Sequence, residues 1–118
     1  MALKLVIGNK NYSSWSMRPW MALKGTGIAF DEVVIPLYTG VADKQRILDV
    51  TRSGKVPALI DGAVTVWDSL AIVEYLAERH SGVWPTDTRA RAWARAAAAE
   101  MHSSFSALRN DCTMNCGV

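Results

Sequence analysis

Cysteine is scarce in this chain and poorly placed for structural work: Cys112 and Cys116, the only two, fall within the last seven of 118 residues. A disulfide there would staple almost nothing, and a cysteine pair without histidine or further cysteine beside it is a poor zinc site. No metal is therefore expected. Without a Cys-x-x-Cys near the first predicted helix, dithiol exchange is disfavoured as well. Long apolar runs are also missing. Nothing approaches the ~18–20 apolar residues of a membrane span, and no sustained apolar segment opens the chain as a leader would, so the expectation is a soluble, cytoplasmic protein with no membrane partner. Charge of one sign is absent too: 13 Lys and Arg stand against 11 Asp and Glu, a net +2 without a basic block. That balance points to no nucleic acid or anionic surface as partner.

What is present suits one folded unit. At 50% hydrophobic and 20% charged, a chain of this length buries about 60–70% of its unfolded surface. Leu3–Gly8 predicts a buried strand and Asn9–Ser14 a polar loop. A helix follows up to Gly25-Thr26-Gly27; because proline is tolerated in a first turn, Pro19 sets its expected start near Ser16. Ile28–Leu37 reads as a second strand, parallel to the first through a right-handed crossover. Asp43–Val50 is a weaker helix and Thr51–Gly54 a loop.

The most informative stretch runs from Gly54 to Ser69. Ala58–Ile60 and Ala63–Val66 flank Asp61-Gly62 and predict an antiparallel hairpin. Pro57, which cannot donate to a ladder, heads the first of these strands and leaves the main chain of Val56 free for another molecule. Asp68-Ser69 opens a helix over Ser69–Arg79, with Leu70, Ile72, Val73, Leu76 and Ala77 on its apolar face. Carboxylate, hydroxyl and unpaired N–H groups thus meet at a positive helix terminus. The order βαβαββα is complete by about residue 81.

After a break at Gly82–Pro85, Thr86 or Asp87 caps a long helix running towards Leu108, striped by Ala90, Ala94, Ala97, Ala98, Met101, Phe105 and Leu108. A lone stripe of this kind leaves apolar surface exposed, so further helices or a second chain are expected to cover it. Arg91 and Arg95 on this helix and Glu74 and Glu78 on the preceding one are like-charged pairs four apart, and the two clusters are expected to meet. Trp20, Trp67 and Tyr75 fit core positions, and His80 and His102 fit capping or surface roles.

Three motifs in this order resemble one family. Ser13-Ser14-Trp15-Ser16-Met17-Arg18 after the first strand, Gly-Lys-Val-Pro at 54–57, and Trp67-Asp68-Ser69-Leu70-Ala71-Ile72 after the fourth are similar to the N-terminal domain of cytosolic glutathione S-transferases. The resemblance implies a thioredoxin-like α/β domain at 1–81, a linker at 82–87, and the start of an all-helical C-terminal domain at 88–118, truncated here. It also implies a homodimer that uses glutathione as co-substrate and a small electrophile as acceptor. By this carry-over Val56, ahead of a cis-Pro57, holds the cysteinyl backbone. Asp68 and Ser69 hold the γ-glutamyl end, and Lys55 reaches for the glycyl carboxylate. A serine hydroxyl at the first helix would favour the thiolate, the actual nucleophile. Ser14 is the first choice and Ser13 the second, with Ser16 taken up by capping, while Trp15 is placed to wall an electrophile pocket. The segment is similar to the Ser-Ser-Cys-Ser of zeta-class transferases and maleylacetoacetate isomerases, except that Trp15 replaces the cysteine. Two other readings are a non-catalytic binding or regulatory module and a glutathione-dependent isomerase or peroxidase.

Overall fold

The computed structural model describes residues 3–36 and 41–116, with 41–43 described by backbone alone. Its elements are β1 (Leu3–Ile7), α1 (Ser14–Thr26), β2 (Phe30–Val34), α2 (Val41–Val50), β3 (Ala58–Asp61), β4 (Val64–Trp67), α3 (Ser69–Arg79), α4 (Thr88–Ser103) and α5 (Ser106–Asp111). The four strands form one sheet in the order β2-β1-β3-β4. β1 runs parallel to β2, with Leu5 opposite Glu32, and antiparallel to β3, with Leu5 opposite Leu59. This is the βαβαββα order expected from sequence. Leu37, at the end of the expected second strand, lies outside the described residues.

Strand alternation divides the core between the two faces of the sheet. Leu3, Leu5 and Ile7 pack with Leu23 of α1, Leu59 of β3 and Ile72 and Leu76 of α3. Val6 and Ala58 point to the other face, against Ile35, which directly follows β2, and Ile47 of α2. Leu5, Leu23, Leu59, Ile72 and Leu76 are fully buried, each contributing roughly 1.5–3 kcal/mol of transfer free energy.

Local chemistry moved four boundaries or placements. The helix α1 starts at Ser14, ahead of the start expected from Pro19, because Ser13 is its N-cap and accepts from the Ser16 N–H at 3.3 Å. Pro19 sits inside the helix and is buried there. The hairpin loop is Gly62-Ala63, one residue later than expected: Asp61 stays in the ladder opposite Val64, its carboxylate accepting the Tyr75 hydroxyl at 2.6 Å, and Gly62 supplies the positive φ of 59°. Trp67, expected in the core, is 56% exposed, since Val66 takes the inward position of β4. The helix expected to reach Leu108 ends at Ser103; the Ser103 hydroxyl donates back to the Ala99 carbonyl, Phe105 turns at φ 60°, and α5 begins. Neither α4 nor α5 has a buried residue, as the exposed stripe implied. Of the expected charge contacts, Arg95 meets Glu74 at 3.2 Å, whereas Arg91 donates to the Thr86 carbonyl at 2.8 Å.

Candidate functional site

The sheet places three polar termini on one side of the molecule. The first is the entry to β3. Gly54 takes φ 68°, the Lys55 N–H donates to Ser53 Oγ at 3.2 Å, and the Val56–Pro57 peptide is cis. Pairing with the neighbouring strands begins at Ala58, so among the described residues no ladder bond engages Val56. Its N–H and C=O lie outside the ladder.

The second terminus is the start of α3. Asp68 is its N-cap: Oδ2 accepts from the Ala71 N–H at 3.0 Å. Its backbone lies at φ 78°, ψ 131°, a conformation that costs a non-glycine residue about 1–3 kcal/mol and recurs where a site demands it. Ser69 follows, 3% exposed, and its Oγ has no hydrogen-bond partner among the described residues. A buried hydroxyl left unpartnered costs about 1–3 kcal/mol. It lies at a helix N-terminus, where backbone N–H groups and the helix dipole favour negative charge.

The third terminus is α1. Ser13 Oγ donates to Ser16 Oγ at 2.7 Å while accepting from the Ser16 N–H, so its proton is engaged within the cap. Ser16, expected to be the capping residue, is instead buried and accepts from the Gly8 N–H at 3.1 Å, tying α1 to the end of β1. Ser14 is half-buried, and among the described residues its hydroxyl makes no hydrogen bond. Of the three serines, Ser14 is the one with a free donor at the positive helix end.

Two adjoining cavities join these termini. One, of about 570 Å³, is lined by Lys55, Val56, Pro57, Asp68 and Ser69 together with Trp67 and His102. The other, of about 850 Å³, is lined by Ser13, Ser14, Val56, Arg18, Met101 and Arg109, among others. Trp15, Lys55 and Val56 border both. Every site residue expected from sequence therefore lies along one continuous cleft, with Trp15 at the junction.

Four lining residues were not assigned to the site from sequence. His102 is not simply a surface residue of α4: its Nε2 lies 2.7 Å from Asp68 Oδ1 and its ring meets Trp15 edge-on at 5.2 Å. Nothing in sequence signals a pairing across 34 positions. Trp67 could have been placed by strand alternation, since Val66 faces inward. Arg18 and Arg109 both lie against the Trp15 ring, their guanidinium carbons 3.9 and 5.3 Å from its centroid. Burial first, and Arg109 second, pull the Arg18 pKa below the ordinary guanidinium value. Among the described residues, no cluster of three or more His, Cys, Asp or Glu is placed to hold a metal, and no helix is long and apolar enough to cross a membrane.

A mixed four-stranded sheet with a cis-proline at the entry to an inner strand and helices packed on it defines a thioredoxin-like domain. Residues 12–79 match the family model described as glutathione S-transferase, N-terminal domain, and the chain belongs to that family. A zeta-class glutathione S-transferase of Euphorbia esula is 33% identical over 105 residues, covering 87% of this chain and 47% of that protein. A probable maleylacetoacetate isomerase of Caenorhabditis elegans is 32% identical over 99 residues, 82% of this chain and 45% of its own length. Among solved structures, a Burkholderia glutathione transferase homologue with bound glutathione aligns at TM-score 0.77 and 29% identity, over 93% of this chain and 59% of its own. The chain thus spans about half the length of such relatives.

Proposed function

We propose that this chain binds glutathione across the cleft and activates its thiol for attack on a small electrophile, as a glutathione transferase. The observation that carries the reading is Ser69: a buried, unpartnered hydroxyl at the start of α3, in one cavity with the Asp68 carboxylate and cis-Pro57. In this reading the γ-glutamyl carboxylate accepts from Ser69 Oγ and the α3 N–H groups, and its ammonium donates to Asp68. The cysteinyl unit pairs with the Val56 main chain, and the glycyl carboxylate is within the range of Lys55. That path brings the sulfur past Trp15 into the cavity of Ser14, whose hydroxyl donates to it. The N-terminus of α1 and the guanidiniums of Arg18 and Arg109 add positive potential that favours the thiolate.

Kinship with transferases and with an isomerase supports glutathione-dependent transfer or isomerisation as the class of reaction. Trp15 in place of the cysteine of Ser-Ser-Cys-Ser favours transfer. Residues 1–81 form the glutathione-binding domain in this reading, 82–87 the linker, and 88–118 the start of a helical domain whose uncovered α4 face is met by further helices or by the same chain in a homodimer. The test is calorimetric titration of the chain with glutathione, alongside Ser69→Ala. Micromolar to low-millimolar binding that weakens at least fivefold in the variant is expected; equal affinity in the two proteins contradicts the site.

A further inference from the structure

The larger cavity carries a pair of arginines that the carboxylates of glutathione do not use. Among the described residues, its charged lining is Arg18, Lys55 and Arg109, with no carboxylate. Arg18 stacks on Trp15, and among the described residues it forms no ion pair or hydrogen bond that would satisfy its five donors. Arg109 donates Nε–H to the Ser104 carbonyl at 2.9 Å, which leaves the two terminal nitrogens of its fork. Two guanidiniums on one indole repel each other, and the depressed pKa of Arg18 reflects both its burial and this neighbour. Elsewhere three exposed cations do find carboxylates: Lys10 meets Glu32, Arg79 approaches Asp61, and Arg95 meets Glu74. Among the described residues the pair beside Trp15 lacks one, in a cavity whose apolar lining includes Met17, Ile47, Met101 and Leu108.

We infer that this cavity is an acceptor subsite for an electrophile bearing a carboxylate, held by Arg18 and Arg109 with its apolar body against Trp15 and the methionines. The inference rests on the transferase reading, because it places the thiol of bound glutathione at Ser14 on the edge of the same cavity. Glutathione's own carboxylates are accounted for at Ser69 and Lys55, so the pair of arginines remains for the second substrate. Guanidiniums offer a planar fork that matches a carboxylate, and a volume of about 850 Å³ is ample for a substituted aromatic ring. With 4-chloro-3-nitrobenzoate as probe, the glutathione thiolate forms a C–S bond at the ring carbon bearing chlorine. The C–Cl bond then breaks, chloride leaves with the bonding pair, and the thiol proton has already passed to solvent.

The test compares 4-chloro-3-nitrobenzoate with its methyl ester as substrates. It also compares the two corresponding glutathione conjugates as ligands, read by tryptophan fluorescence. The acid conjugate is expected to bind at least tenfold tighter than the ester conjugate in low salt, with the same order of preference in kcat/KM. Arg109→Ala should collapse that ratio towards one, and Arg18→Lys, which keeps the charge but not the fork, should reduce it in part. Equal binding of both conjugates to the parent chain, or a preference that survives Arg109→Ala, overturns the inference while leaving glutathione binding intact. Failure of glutathione itself to bind overturns the underlying reading, and the acceptor subsite with it. Conjugate preference without turnover upholds the subsite and contradicts only catalysis.

Discussion

Asp68 concentrates three demands on one residue. It caps α3, pairs with His102, and holds a positive φ that asparagine tolerates nearly as well as aspartate. Asp68→Asn therefore separates charge from architecture. The cap should survive and the melting temperature shift little, while the dissociation constant for glutathione rises about 10- to 100-fold, in line with ~1.5–3 kcal/mol for a hydrogen bond to a charged group. Calorimetry and a thermal melt on the same sample check both halves. The serines divide in a parallel way. Ser13→Ala should cost stability, about 0.5–2 kcal/mol for a lost N-cap, which denaturant unfolding would read. Ser14 and Ser69 were legible as candidates from residue type and order alone. Their differing commitments were not, because a serine's hydrogen-bond partner is set by three-dimensional contacts such as that of Gly8 with Ser16. The partnership of His102 with Asp68 was invisible for the same reason.

At the level of elements, a short apolar run placed β1 and helical spacing of apolar residues placed α3, and the Asp-Gly pair placed the hairpin to within one residue. Misplacements came where a tertiary bond outweighed a local rule. Tyr75 holds Asp61 in its strand, and the Ser13–Ser16–Gly8 bonds seat α1 earlier than Pro19 alone suggests. The edge strand β2 depends on a further contact of this kind. Glu32 accepts from Lys10 at 2.7 Å and from the Trp20 indole N–H at 2.6 Å, and these hydrogen bonds hold its carboxyl below the ordinary value of 4.5. A depressed carboxylate contributes stability that is present above its unfolded pKa and is lost as pH falls through the folded one. The stability difference between the parent chain and Glu32→Gln should thus be full at neutral pH and shrink progressively below about pH 4.5. Its size at pH 7 is about 1 kcal/mol or less, since the pair is partly exposed. A difference independent of pH between 3 and 7, measured by urea titration, would contradict this role for Glu32.

For the molecule as a whole, the apolar contacts that join the sheet to α1 and α3 also hold the three termini of the cleft in register. Ile72→Ala, in the fully buried layer under α3, should cost about 2–5 kcal/mol and lower the melting temperature accordingly. The sequence resemblance supplied the cis-proline and the roles proposed for Val56, Asp68 and Ser69; residue-level physics supplied the order of elements along the chain and the polar ends. Neither could show that α4 and α5 bring His102 and Arg109 back onto Trp15, because that depends on the turn at Phe105. The central claim is that the cleft binds glutathione and that Ser14 stabilises its thiolate. Its most direct test is a pH titration of bound glutathione followed by thiolate ultraviolet absorbance, in the parent chain and in Ser14→Ala. The expected result is a thiol pKa at least one unit below the free value of about 8.5–9 in the parent, returning towards that value in the variant. Bound glutathione that titrates like the free thiol in the parent chain, or a lowered value unchanged by Ser14→Ala, would contradict it.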